Sequence, residues 1–178
     1  AKYICRFVEK TALSTFISGS FVRERYNKIL KYKSASSIVP MGVNEEKFAG
    51  VMEYSPDPDK ILFVGRLHKI KGINFLLEAF ASLSNERPGL KLEIVGGGEE
   101  LDNLRELAKT LSIEKNVTFS GFVASDKIAG YYASARCIVV PSLMLPSGET
   151  EGMPVVILES LICGTPVIAS NVGGIKMS

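Results

Sequence analysis

Ile61-Leu62-Phe63-Val64-Gly65-Arg66-Leu67-His68-Lys69-Ile70-Lys71-Gly72 is the stretch on which the fold turns. Four consecutive apolar residues closed by a glycine read as a short strand buried on both faces, the kind a parallel sheet requires. A helix follows over 72–84, with Phe75, Leu76, Ala79, Phe80 and Leu83 on one stripe. The same unit then repeats. Residues 90–95 form a second strand ending in three glycines, and a helix covers about 99–111. Residues 117–119 form a third strand closed by Gly121, and 125–133 a short helix with Ser125 as its N-cap. Residues 137–140 make a fourth strand, 154–163 a helix and 166–170 a fifth strand ending near Gly173-Gly174. Strands alternating with helices predict an α/β fold: a Rossmann-like parallel sheet with helices on both faces.

Upstream, the pattern is looser. Residues 14–18 and 37–39 read as strands flanking a helix over 21–32, and 41–59, with Gly42, Gly50, Pro56 and Pro58, reads as an interdomain linker. Residues 1–40 are too few to bury a core of their own and are expected to be the remnant of a neighbouring N-terminal domain. Residues 60–178 are then the main α/β domain. Residues 171–178 follow the last strand where an α/β chain should enter another helix, so that domain is expected to be incomplete at its C-terminus.

Composition narrows the function. Of 178 residues, 46% are hydrophobic and 22% charged, which excludes disorder. A net charge of +2 supplies no polycationic field, so no nucleic-acid partner is expected. The longest apolar run, 154–169, is interrupted by Glu159, Gly164 and Pro166, so it is a buried helix and strand and not a membrane span. Cys5, Cys137 and Cys163 lack paired spacing and a nearby histidine and read as small core hydrophobes of a cytoplasmic protein. Residues 1–10 do not resemble a signal peptide, and the sequon at Asn116 is read as chance.

Ligands of open parallel sheets bind beyond the carboxyl ends of the strands. Four of the five strand ends here carry glycine, which lets backbone approach a ligand. Arg66 and Lys71, flanking the turn before a helix N-terminus, suit a diphosphate. Gly96-Gly97-Gly98 lacks the GxGxxG order and no Walker A sequence occurs, which lowers the NAD and ATPase readings. In Glu151-Gly152-Met153-Pro154-Val155-Val156-Ile157-Leu158-Glu159, the proline favours a helix start and leaves Gly152 and Met153 at its mouth with free amides. Glu159 falls in an apolar helix, where a charge must be paired or face a ligand.

These motifs, with Gly121-Phe122-Val123 and Cys163-Gly164-Thr165-Pro166-Val167-Ile168-Ala169, occur in order over about 38–174. Together they resemble the retaining GT-B glycosyltransferases of the glycogen synthase/sucrose synthase-like group, "glycosyl transferases group 1", and chiefly their C-terminal donor-binding domain. The resemblance implies transfer of a hexose from a nucleotide-diphosphate sugar, UDP- or GDP-linked, to a glycan or lipid-linked acceptor, with retention. It implies that Arg66 and Lys71 bind the diphosphate and stabilise the leaving group. Glu151 would contact the transferred sugar and Glu159 the ribose hydroxyls. Gly152, Met153, Pro154 and Val155 would line the sugar and phosphate, and Gly65, Gly97 and Phe122 the nucleotide. No metal and no cofactor are implied, because Arg66 and Lys71 take the metal's place. Polysaccharide or glycolipid synthesis is the implied setting, in the cytoplasm, with peripheral membrane association through the N-terminal domain. Pro154 stands where many members have glycine. The chain alone is expected to carry a donor site only and to be inactive. The alternatives are a non-catalytic sugar-nucleotide-binding module and a GT-B sugar-nucleotide epimerase.

Overall fold

In the computed structural model, residues 15–30, 36–48 and 55–175 are described, Leu30 by its backbone alone. Cys5, Ser14, Lys31, Tyr32 and Gly50, which figure in the expectations above, lie outside the described residues, as do residues 1–14 and 31–35 of the proposed N-terminal remnant.

The described chain starts with β1 (Phe16–Ile17), α1 (Ser20–Leu30) and β2 (Ser37–Ile38), a small parallel pair joined by a helix. The main sheet follows: β3 (Asp57–Val64), α2 (Ile73–Glu86), β4 (Lys91–Val95), α3 (Leu101–Thr110), β5 (Val117–Gly121), α4 (Ile128–Ala133), β6 (Ala135–Val140), α5 (Val155–Ile162) and β7 (Val167–Ala169). Its five strands are all parallel, in the order β5-β4-β3-β6-β7. The chain therefore winds outward from β3 through β4 and β5, then returns to the other side of β3 as β6. The strand order reverses between β3 and β6, which opens a crevice above that junction.

Successive strand side chains point to opposite faces, so the apolar runs build two cores. Phe63, Leu92 and Ile94 pack with Leu76, Leu77 and Phe80 of α2 and Leu104 of α3. Leu62, Val95, Ile138 and Val140 pack on the other face with Tyr132 of α4 and Ile157 of α5. The expected parallel sheet with helices on both faces is what the chain forms.

Three local expectations are corrected. The buried stripe of α2 is Ile73, Leu76, Leu77 and Phe80, whereas Phe75, Ala79 and Leu83 are exposed. The segment Ile73-Asn74-Phe75-Leu76-Leu77 is apolar around more than half its circumference, so periodicity alone does not fix the phase of the helix. Ser125 is not an N-cap: residues 125–127 form a turn and α4 starts after Lys127, at Ile128. Third, β3 begins at Asp57, four residues before the apolar run that announces it, and Phe48 is buried in the second core. The Phe48 ring stands 6.4 Å from that of Tyr132, tilted by 55°. A single-turn helix, Glu45–Phe48, delivers it there. The connection to the sheet is thus anchored by one large apolar side chain.

Truncating that anchor leaves a cavity against Tyr132. Phe48→Ala is expected to lower unfolding stability by about 3–5 kcal/mol, read by urea denaturation. A loss below about 1 kcal/mol, the level of a surface substitution, would show that Phe48 does not belong to the core.

Candidate active site at the strand ends

The loops after β3 and β4 are fastened to each other by backbone. Gly65 N–H donates to Val95 O at 3.0 Å, Leu67 N–H to Gly97 O at 2.9 Å and Glu100 N–H to Leu67 O at 3.2 Å. A Cβ placed on Gly96 would fall on the Gly65 carbonyl oxygen, and one on Gly98 would fall on that of Leu67. Both glycines also take positive φ, 131° and 159°. Gly96 and Gly98 are therefore required by contact between two loops, a different need from the close approach to a ligand expected of them. Gly173 and Gly174 repeat the arrangement: added Cβ atoms would collide with the carbonyl oxygens of Glu151 and Gly152. Gly174 N–H also donates to Glu151 O at 3.0 Å.

Beyond the carboxyl ends of β3 and β4 lies a cavity of about 620 Å³. Val64, Val95, Val123 and Ile128 give it apolar walls, Gly65 and residues 96–98 contribute bare backbone, and Phe122, Ser125, Arg66 and Glu159 complete it. Phe122 is 89% exposed and its ring lies against Gly97, where an added Cβ would come within 2.7 Å of Cε2. Five of the predicted residues thus share one cavity: Gly65, Arg66, Gly97, Phe122 and Glu159. Lys71 borders the same loop, since a Cβ on Gly65 would lie 4.0 Å from Lys71 Cε. Gly152 and Met153 line a second cleft, of about 260 Å³, facing Gly19, Ser20 and Phe21 at the start of α1. Pro154 and Val155 line neither cavity. Pro154 is the N-cap of α5, in the extended region at φ −68° and ψ 118°, one position before the expected helical turn. Ile157 N–H donates to Pro154 O at 3.1 Å, whereas the Val155 and Val156 amides at the start of α5 have no intrahelical acceptor.

Both cations are held by carboxylates. Lys71 Nζ pairs with Glu151 Oε1 at 2.8 Å, and the two side chains are only 20% and 14% exposed. Arg66 Nη2 pairs with Glu99 Oε2 at 3.3 Å near the surface. The other oxygen of Glu99 lies 3.2 Å from His68 Nε2. His68 Nδ1 accepts from Ile70 N–H at 3.2 Å, capping the single-turn helix Lys69–Lys71 that carries the second cation. An accepting Nδ1 leaves the ring proton on Nε2, so the imidazole donates to Glu99. Glu159 is also paired: Oε2 accepts from the Tyr132 hydroxyl at 2.7 Å.

His68 and Glu99 stood inside quoted motifs without a role, and Tyr132 was not singled out. The available signals were a carboxylate directly after the triple glycine and a pair of tyrosines, Tyr131 and Tyr132, in an otherwise apolar short helix. Burial first, and then its bond to Glu159, raises the Tyr132 phenol above its ordinary range, so it stays a donor. Burial, followed by the Glu159 charge, pushes the Cys163 thiol up to about 11. Burial raises that of Cys137 as well. Neither thiol is an activated nucleophile.

Residues 44–177 match the family described as glycosyl transferases group 1, and the chain belongs to it. It is 39% identical over 133 residues to an uncharacterized glycosyltransferase of Methanocaldococcus jannaschii, covering 75% of this chain and 32% of that protein. It is 31% identical over 185 residues to a GDP-mannose-dependent alpha-(1-6)-phosphatidylinositol monomannoside mannosyltransferase of Mycobacterium tuberculosis, covering 95% of this chain and 46% of that one. Among solved structures, sucrose-phosphate synthase from Thermosynechococcus elongatus superposes with a TM-score of 0.78 at 27% identity, over 99% of this chain and 45% of that one. Anabaena HepE, solved with UDP and glucose, shares the fold with a TM-score of 0.80 at 20% identity, over 99% and 50%. The chain spans about a third to a half of the length of these relatives.

The Lys71–Glu151 pair is enclosed enough that removing one member strands the other. Lys71→Met is expected to destabilise the protein by about 1–3 kcal/mol, and Lys71→Met combined with Glu151→Leu to recover most of the loss. Denaturant unfolding of the single and double variants measures both. Additive losses would show that the two residues are not coupled.

Proposed function

We propose that this chain is the donor-binding half of a retaining glycosyltransferase that moves a hexose from a nucleoside diphosphate sugar to a glycan or lipid-linked acceptor. Residues 60–178 are the donor unit, 1–40 the tail of an acceptor-binding domain and 41–59 their connection. The observation that carries the reading is the cavity beyond the carboxyl ends of β3 and β4, with apolar walls, Arg66 at its rim and Glu159 in its lining, in a chain of this family.

The roles follow from charge and reach. The apolar walls, with Phe122 and Gly97, take the nucleobase, and Glu159 accepts from the ribose hydroxyls. Arg66 offers a planar fork of donors to the diphosphate and Lys71 a point charge. As the bond between the anomeric carbon and the phosphate oxygen breaks, negative charge grows on the leaving diphosphate. Fixed cations there lower the barrier. No metal ion is then needed for charge neutralisation.

A ligand phosphate at Lys71 replaces Glu151 as its partner, and the released carboxylate turns to the hydroxyls of the transferred sugar. Gly152, Met153 and the first amides of α5 hold the sugar or the phosphate beside it. A glycosidase-like pairing of the two glutamates is not part of this reading, in which Glu151 serves the transferred sugar and Glu159 the ribose. UDP and GDP are both carried forward as donor nucleotides. The mannosyltransferase relative is GDP-mannose-dependent by name, and HepE was solved with UDP. No helix among the described residues is long and apolar enough to cross a membrane.

In the full-length protein, Lys71→Ala is expected to lower kcat by about 10²–10³. Arg66→Ala is expected to weaken UDP or GDP binding, read by calorimetry, and EDTA to leave turnover unchanged. Unaltered nucleotide affinity in Arg66→Ala would remove the diphosphate assignment. The 178-residue chain alone is expected to form no transfer product, and detecting one would refute the half-site reading.

A further inference from the structure

Tyr132 has no exposed surface, and its hydroxyl is aimed across to Glu159 on α5. A buried phenol needs an acceptor. Here the acceptor is a carboxylate that lines the cavity. The remainder of the tyrosine is fastened with equal care. Its carbonyl accepts from Thr165 Oγ1 at 2.8 Å, and the Thr165 carbonyl accepts from Ser160 Oγ at 2.8 Å. Thr165 N–H donates to Ser160 O at 2.9 Å. Ser160 is the residue after Glu159, and Ser160 and Thr165 are both buried. Tyrosine and glutamate are therefore tied twice, once directly and once by way of Thr165. Phe48 stands against the same ring.

The bond makes the carboxylate asymmetric. Oε2 is occupied, while Oε1 accepts from no described residue. An unrestrained glutamate loses rotamer freedom when a ligand fixes it. The tyrosine imposes that order before a ligand arrives, so less of the binding energy is lost to it.

Resting on the reading of Glu159 as the acceptor of ribose hydroxyls, we infer that Tyr132 is a positioning residue that gives the site its preference for ribose over a sugar lacking those hydroxyls. Tyr132 does not line the cavity and acts only by holding one glutamate oxygen so that the other faces the ligand.

The test is calorimetric titration of the full-length protein with UDP and GDP, and with their 2′,3′-dideoxy counterparts, in wild type, Tyr132→Phe and Glu159→Gln. Tyr132→Phe keeps the buried ring. It is expected to weaken binding of the ribonucleotide about tenfold while leaving the dideoxy form unchanged, so the ribose preference collapses. Equal weakening of both nucleotides would show a merely structural role and overturn the inference, as would no change in either. Tyr132→Met, which also lacks the hydroxyl, carries the same expectation if the phenylalanine variant does not fold. Glu159→Gln separates the two levels. If it leaves the ribose preference intact, the ribose assignment itself fails. If it abolishes the preference while Tyr132→Phe does not, only the role of Tyr132 fails. Absence of binding by either ribonucleotide to wild type overturns both.

Discussion

The contact between the loops after β3 and β4 is the constraint on which the site depends. Two carbonyls, of Gly65 and Leu67, stand where any side chain at 96 or 98 would have to be. Three backbone hydrogen bonds then lock the loops at that spacing. The spacing fixes the rest in turn. It sets Arg66 opposite Glu99, leaves the backbone of 96–98 bare along one side of the cavity and starts the turn that ends in Lys71. The pair at Gly173 and Gly174 performs the same task for the loop carrying Glu151. A binding surface assembled from loops gains precision when the loops brace one another, because neither can then move without breaking the other's hydrogen bonds.

The sheet was legible in the sequence because its central strands are buried on both faces. Ile61-Leu62-Phe63-Val64 and Cys137-Ile138-Val139-Val140 are continuous apolar runs that few other structures would accept. The start of β3 was not legible. Asp57-Pro58-Asp59-Lys60 is polar, and it is extended because Asp57 pairs with Ala135 and its side chain accepts from Asp59 N–H. The phase of α2 was ambiguous for the opposite reason, an excess of apolar residues. Glycine at the strand ends was visible, but its reason was not, since a collision with a neighbouring carbonyl exists only once the strands are adjacent.

The charged side chains of the candidate site were each visible alone, and their partnerships were not. Arg66 and Glu99 are 33 residues apart, and Tyr132 and Glu159 are 27 apart. No periodicity relates such positions; the winding of the sheet does. The carboxyl ends of β3 and β4 deliver the first pair, and the packing of α4 on α5 delivers the second. A motif reports which residues are present, whereas the topology decides what each of them touches.

The resting ion pairs have a consequence for selectivity. Lys71 and Arg66 each already have a counter-ion, one enclosed and one at the surface. A simple anion gains little by entering, because it must evict a carboxylate that is covalently tethered in place and so effectively concentrated. A ligand that also gives the evicted carboxylate something to hold recovers that cost; bare phosphate does not. On the proposed donor-binding reading the site works as an exchange, quiet toward the abundant small anions around it and open to a molecule that brings phosphate and hydroxyl together.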